Sequence, residues 1–222
     1  MTPRSRRSFI RAHTTLGPAP FVPEVRLHIG GLAMPLWEAA ALADERLPVP
    51  PPYWAWPWAG GQALARYVLD TPEVVRGRRV ADIGAGGGIV AIAAALAGAT
   101  HVDAIDIEPY AIEACRLNAA GNGVGRVVVP DERDPIGTDD GWDVVLAGDV
   151  WYEADLATAM APWLRTLAGR GATVLTGDLG RAHLPANGLR ELARYTVPTL
   201  MDLEDVTEKA ARVLAFTPAP PP

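Results

Sequence analysis

A short apolar run, Val80-Ala81-Asp82-Ile83, passes directly into Gly84-Ala85-Gly86-Gly87-Gly88 and then into the alanine-rich stretch Ile89–Ala97. That junction restricts the fold more than any other part of the chain. A short apolar run suits a buried strand, and the alanine-rich stretch suits a helix. Glycines between them let the backbone turn tightly and approach a ligand where a Cβ would collide. Strand, glycine loop and helix make the opening βα unit of an open, mostly parallel sheet, in which ligands sit beyond the carboxyl ends of the strands.

Downstream, strand and helix signals alternate. His101–Ile107 reads as a strand, Pro109 sits where a helix start tolerates it, and Gly121 and Gly123 stop the helix Tyr110–Ala119. Further strands are expected at Arg126–Val129, Asp143–Ala147 and Ala172–Thr176, with helices over Asp155–Leu167 and around Leu189–Arg194. Tyr195–Leu200 and Ala211–Phe216 read as a closing antiparallel pair. Upstream, Leu64, Tyr67, Val68 and Val75 suggest an amphipathic helix that leads into the main domain. Residues 1–52 lack a sustained helical period and are rich in proline; they read as an ordered arm with a strand at Val25–Ile29 and a helix near Leu36–Ala43. The chain thus divides into an N-terminal arm or lid (1–59), an α/β domain (60–217) and a proline-rich tail expected to be disordered (218–222).

Composition removes several function classes. A net charge of −6 argues against a nucleic-acid binder that relies on a broad basic face. Cys115 is the one cysteine, so neither an internal disulfide nor a cysteine-based zinc site can form. It falls within a helical pattern and reads as a small core residue. Ser5-Arg6-Arg7-Ser8-Phe9-Ile10-Arg11 imitates a twin-arginine export signal, but the residues that follow, Ala12 to Pro20, are polar and carry two prolines instead of an apolar stretch. No run approaches the ~18 apolar residues of a membrane span. A cytoplasmic protein without a membrane partner is expected.

Two details narrow the ligand of the glycine loop. A dinucleotide loop, G-x-G-x-x-G, would need glycine at 89, where Ile89 stands. Asp82, two residues before Gly84, is a carboxylate that a pyrophosphate would repel and that the amino group and sulfonium of S-adenosylmethionine would attract. Gly84, Gly86 and Gly88 then cradle this cofactor. Asp106 lies 22 residues after Gly84 (106 − 84), near the ~20-residue spacing of a ribose-binding carboxylate. Capping of the next helix is the competing role for Asp106. Ile107 is placed against adenine, and Asp131 or Glu132, at the end of the third strand, is placed to accept from its exocyclic amine; both could equally be solvated loop charges. Methyl transfer is the reaction class that this cofactor implies.

The acceptor end is read from Gly148-Asp149-Val150-Trp151-Tyr152, at the end of the fourth strand. The Asn/Asp-Pro-Pro-Tyr/Phe box of enzymes that methylate planar amide-like nitrogens is missing there. Pro51-Pro52-Tyr53 imitates it but precedes the glycine loop. Asp149 suits a lysine amine, with Trp151 and Tyr152 lining a narrow aromatic slot. A capping aspartate with core aromatics is the alternative. Trp54, Trp56 and Trp58 alternate in a segment read as extended, which would put them on one face as a lid, with Trp58 on the cofactor.

These residues resemble a known family. Pro52-Tyr53-Trp54-Ala55, Trp58-Ala59-Gly60-Gly61-Gln62-Ala63-Leu64, the glycine loop and Gly148-Asp149-Val150-Trp151-Tyr152 are similar to the electron transfer flavoprotein β-subunit lysine methyltransferases. Phe9 to Thr14, Val22 to His28 and Gly177-Asp178-Leu179-Gly180-Arg181 resemble their arm and their loop after the fifth strand, so that the likeness runs from about residue 9 to 216. It implies a class I (Rossmann-like) methyltransferase fold, an α/β seven-stranded mostly parallel sheet of order 3-2-1-4-5-7-6. It also implies lysine methylation, from S-adenosylmethionine, on the electron transfer flavoprotein β subunit. By position, Asp149 and Tyr152 match the family's Asp-x-x-Tyr pair, Asp82, Gly84 and Asp106 its cofactor motifs, and Trp58 the tryptophan before the first helix; Gly148 adjoins the cofactor. Glu24, Arg26, His28 and the loop 178–181 are further substrate contacts to consider. Trp151 and Ala85 depart mildly from the family pattern. A small-molecule N-methyltransferase, a ribosomal-protein methyltransferase (which the missing box disfavours) and a non-catalytic binding module are the competing readings.

Overall fold

The computed structural model describes residues 2–43, 50–199 and 206–217. The proline-rich tail and Leu200 lie outside the described residues. Along the chain come α1 (Pro3–His13), β1 (Thr14–Pro18), β2 (Arg26–Gly30), α2 (Ala33–Ala43), a 3-10 turn at Tyr53–Ala55 and α3 (Ala59–Asp70). The main domain continues with β3 (Arg79–Ile83), α4 (Ile89–Leu96), β4 (His101–Asp106), α5 (Pro109–Gly121), β5 (Val128–Glu132) and β6 (Val144–Gly148). It closes with α6 (Ala154–Gly169), β7 (Thr173–Asp178), β8 (Leu189–Pro198) and β9 (Glu208–Phe216).

The large sheet has the order β5-β4-β3-β6-β7-β9-β8. Pairing is parallel from β5 to β7 and antiparallel at β7–β9 and β9–β8. Numbered within this sheet alone, the strands run 3-2-1-4-5-7-6, the order that the resemblance implied. Period-2 alternation sends Val80, Val102, Ala104, Val144, Leu146 and Leu175 to one face, where α3, α4 and part of the arm pack. Ala81, Ile105, Val145, Ala147 and Val174 go to the other, against α6 and the indoles of Trp142 and Trp163. Both faces are covered, as a parallel sheet requires.

The arm is packed, not loose. Ala19, Val22, Val25 and Leu27 join the core cluster of α3 and α4. β1 and β2 pair antiparallel beside the domain. α1 was not foreseen. The Thr2 side chain accepts from the Ser5 amide, Pro3 opens the first turn, and Arg11 and His13 sit in the last turn where the helix dipole favours cations. Its apolar face is only Phe9 and Ile10, each contributing about 1.5–3 kcal/mol by burial against α5. Arg7 pairs with the buried Glu113 at 3.1 Å.

Three other expectations change. Leu189–Arg194, rich in helix formers, is strand: it pairs with β9 along Leu189–Pro198, with an irregularity between Glu191 and Ala193. Helix propensity is worth a few tenths of a kcal/mol per residue and yields to a nine-residue partner with an unpaired edge. The third strand starts later than expected and takes in Pro130, Asp131 and Glu132. The tryptophans do not share one face, because Tyr53–Ala55 winds as a 3-10 turn: Trp54 stacks on Tyr110 (5.9 Å between centroids, 6° between planes), and Trp56 donates to the Gly31 carbonyl at 3.2 Å.

Candidate active site

The glycine loop turns between β3 and α4 with φ of +66° at Gly84, +53° at Gly86 and +85° at Gly88. At Gly88 both constraints of a glycine meet, since a Cβ there would lie 2.6 Å from the Cys115 sulfur. Cys115 is buried, and burial raises its thiol well above the usual range, in keeping with a core residue and not a nucleophile. Asn118, which the sequence reading did not single out, fixes the loop. Its Nδ2 donates to the Gly87 carbonyl at 2.8 Å and its Oδ1 accepts from the His28 amide at 2.8 Å, tying loop and arm together from the buried face of α5.

Over the carboxyl ends of β3 and β6 lies a cleft, open to solvent and lined by Asp82, Gly84, Gly86, Trp58, Gly148 and Asp149, among others. A larger hollow, lined by Glu73, Arg78, Asp143 and Arg170, sits at the amino ends of β3, β6 and β7. Parallel sheets do not bind ligands at that end, and it lacks the glycine loop.

Asp82 forms the floor of the cleft. It is 1% exposed, accepts from the Ala91 amide at 2.9 Å, and burial pushes its carboxyl up to about 8. A carboxyl in that state is poised to ionise against an incoming cation. Asp106, at the end of β4, accepts from the Gly86 amide and from the Glu108 amide, both at 2.9 Å; burial raises its carboxyl too. The capping role therefore does not displace Asp106 from the glycine loop: one carboxylate braces both the loop and the start of the next helix. Ile107 beside it is 71% exposed, an apolar surface without cover in the free protein. Asp131 is brought near in sequence register, opposite Ile105, but Arg133 takes its carboxylate at 2.7 Å. Asp131, Glu132, Asp106 and Ile107 all stand outside the lining of the cleft itself, and of these Asp106 reaches it through its bond to the Gly86 amide.

At the acceptor side, Asp149 has φ +56°, the left-handed region that aspartate tolerates better than most residues. Its Oδ2 accepts from the Gly61 amide in the first turn of α3 at 2.5 Å, and its Oδ1 faces the Arg181 guanidinium at 3.5 Å. It is a capping aspartate, but of α3 instead of the helix that follows it. The close approach is made by glycines: a Cβ on Gly60 would meet the Gly177 carbonyl oxygen at 2.5 Å, and one on Gly148 would meet the Gly61 Cα at 2.8 Å.

Trp151 does not line a slot. Its indole is fully buried beside Phe216 and donates to the Thr176 hydroxyl at 2.8 Å, because past the left-handed Asp149 the chain turns into the α6-side core, which takes Val150 and Trp151 together. Tyr152 does reach the mouth, half exposed, with its ring 5.9 Å from that of Tyr53. Tyr53 in turn stands edge-on to Trp58 at 5.8 Å, and the Trp58 indole donates to the Tyr53 carbonyl at 2.9 Å. The tyrosine of the Pro51-Pro52-Tyr53 decoy is thus part of the rim, through folding of the arm and not through the motif it imitates.

The residues present suit S-adenosylmethionine: a cradle that side chains would fill, an ionisable carboxyl at its floor for the cationic end, and a second carboxylate with an exposed apolar neighbour at the nucleoside end. A sheet of this order with its cleft in this place is the fold of class I methyltransferases. The solved magnesium protoporphyrin IX methyltransferase (ChlM) from Synechocystis PCC 6803, with bound cofactor, shares it at a TM-score of 0.53 and 18% identity, over 70% of this chain and 77% of that one. The family model for ribosomal protein L11 methyltransferase (PrmA) matches residues 62–174. The chain is an S-adenosylmethionine-dependent methyltransferase.

Within that class the chain belongs to the electron transfer flavoprotein beta subunit lysine methyltransferase family. The member from Xenopus laevis is 39% identical over 96% of this chain and 87% of its own length. The member from Danio rerio is 44% identical over 69% of this chain and 62% of its own, and that from Homo sapiens 37% over 82% and 70%.

Proposed function

We propose that this chain transfers methyl groups from S-adenosylmethionine to lysine side chains of the electron transfer flavoprotein β subunit. The observation that carries it is Asp149: a carboxylate held at the rim by a helix amide, with its second oxygen turned to a cation. The names of the relatives support the partner, and the exposed rim of Tyr53 and Tyr152 gives a folded protein a surface to meet.

When bound, the cofactor supplies a methyl group on a cationic sulfur. The protein's part is placement. Asp149 receives the lysine ammonium and holds its nitrogen in line with the cleft. Tyr152, whose hydroxyl burial pushes upward, stays neutral at pH 7 and walls the approach. Free lysine is protonated by about three pKa units at pH 7, a cost of about 4 kcal/mol. Desolvation at the rim lowers that cost, and alignment supplies much of the rest.

The test incubates the enzyme with tritiated cofactor and purified electron transfer flavoprotein, then maps labelled lysines. Label on the β subunit is expected. An unlabelled β subunit, with label on other lysate proteins, would reject the partner. Label on ribosomal protein L11 in a parallel arm would favour the second reading, which the matching family model motivates.

A further inference from the structure

Lys209, on β9, is the one lysine among 222 residues. The cation facing Asp149 is therefore not an amine but the Arg181 guanidinium, with Nη2 3.5 Å from Oδ1. The loop that carries it is built for the purpose. Asp178 is fully buried, and its Oδ1 accepts from the Gly180 amide at 2.5 Å and from the Arg181 amide at 2.8 Å, which fixes where the arginine leaves the backbone. Its Oδ2 is buried without a hydrogen-bond partner among the described residues, a charge that favours a cation nearby. The other oxygen of Asp149 is committed to the Gly61 amide. An incoming ammonium must then approach through Oδ1, the oxygen that Arg181 faces.

We propose that Arg181 is a placeholder for the substrate lysine: it neutralises Asp149 in the free enzyme and is displaced by the acceptor ammonium. The idea rests on Asp149 being the acceptor carboxylate of a lysine methyltransferase. Arginine suits the post. Its delocalised guanidinium is a far weaker nucleophile toward the methyl group than a free amine, whereas an amine in the same place would be a substrate.

That difference supplies the experiment. Arg181→Lys, incubated alone with tritiated S-adenosylmethionine, should label itself at the substituted side chain. The introduced ammonium loses its proton to solvent, the nitrogen lone pair forms a bond to the methyl carbon, and the carbon–sulfur pair stays on a neutral thioether. The rate per enzyme should not depend on enzyme concentration, and the wild-type chain should remain unlabelled. A folded Arg181→Lys, with wild-type cofactor affinity by calorimetry, that takes no label at position 181 overturns the proposal. Arg181→Ala gives an independent readout. Loss of the competing cation should lower KM for the protein substrate about five-fold, the scale of a modest ion pair, with kcat little changed, and added guanidinium should restore the wild-type KM. An unchanged or raised KM overturns the placeholder. Failure of the flavoprotein to be labelled, while Arg181→Lys labels itself, would reject the partner and leave the placeholder standing.

Discussion

The Gly61 amide donates to Oδ2 of Asp149 at 2.5 Å, across a junction where α3 meets the ends of β6 and β7 without a side chain between them. One carboxylate therefore both caps a helix and faces the acceptor. Asp149→Asn separates the two roles, since an amide oxygen still accepts from Gly61 and asparagine tolerates the same backbone. Transfer should fall by about a hundred-fold or more, with cofactor affinity within about two-fold of wild type. Single-turnover rates and calorimetry read both, and an Asn variant that transfers at the wild-type rate removes Asp149 from the acceptor site.

Asp106→Ala should weaken cofactor binding first. Hydrogen bonds to a charged acceptor contribute about 1.5–3 kcal/mol, so a loss of roughly ten- to a hundred-fold in affinity is expected. The same substitution strips a partner from the Gly86 and Glu108 amides, and Tm should drop as well. Full-strength binding in calorimetry would show the ribose assignment to be wrong.

Asp82 makes affinity pH-dependent. Its folded carboxyl titrates at about 8 because it is buried, against ~4 in an unfolded chain. The folded state thus keeps a proton that the unfolded state releases, so this group's contribution to stability is greatest below about pH 4 and is lost as pH rises toward 8. A cationic ligand works the other way: it favours the ionised carboxyl, so affinity should rise from pH 6 to 9 and binding at pH 7 should release a proton. Calorimetry in buffers of different ionisation enthalpy measures that release. Asp82→Asn should abolish it, and a wild-type protein that releases none would detach Asp82 from the ligand.

Gly60→Ala should cost about 1–3 kcal/mol or more, as overpacking does, because the new carbon would sit 2.5 Å from the Gly177 oxygen and 2.8 Å from Asp149 Oδ2. The backbone partner cannot move without disturbing β7. Activity should fall with stability, and a variant of unchanged Tm and rate would contradict the contact.

Trp151→Phe tests the corrected role of that residue. Loss of the indole bond to Thr176 should cost about 1–3 kcal/mol, an unmade buried partner. KM and kcat at permissive temperature should stay near wild type. A large rise in KM with intact stability would return Trp151 to the mouth.

The sheet and the cofactor end were legible because each depends on local signals: glycines after a strand, a carboxylate at the next strand end, alternation that survives burial on both faces. What escaped depended on partners far away in sequence. Phe9 and Ile10 are too few to announce a helix and acquire meaning only against Tyr110. Leu189–Arg194 reads as helix until β9 pairs with it. Trp151 resembles a slot residue because it stands two places after Asp149, yet the left-handed backbone at Asp149 turns the chain so that Val150 and Trp151 both enter the α6-side core. Asn118 carries no motif, and its use became visible only through the loop that it holds; Arg181 was legible as part of a family-like loop, but its pairing with Asp149 was not.

The left-handed backbone at Asp149 also bears on how this enzyme could be re-engineered. A saturation library at that codon would be filtered twice, once by conformation and once by chemistry. Glycine and asparagine would survive the first filter, and almost nothing but aspartate the second. Altered acceptor preference is better sought in the side chains around the carboxylate, such as position 181, than in the carboxylate itself.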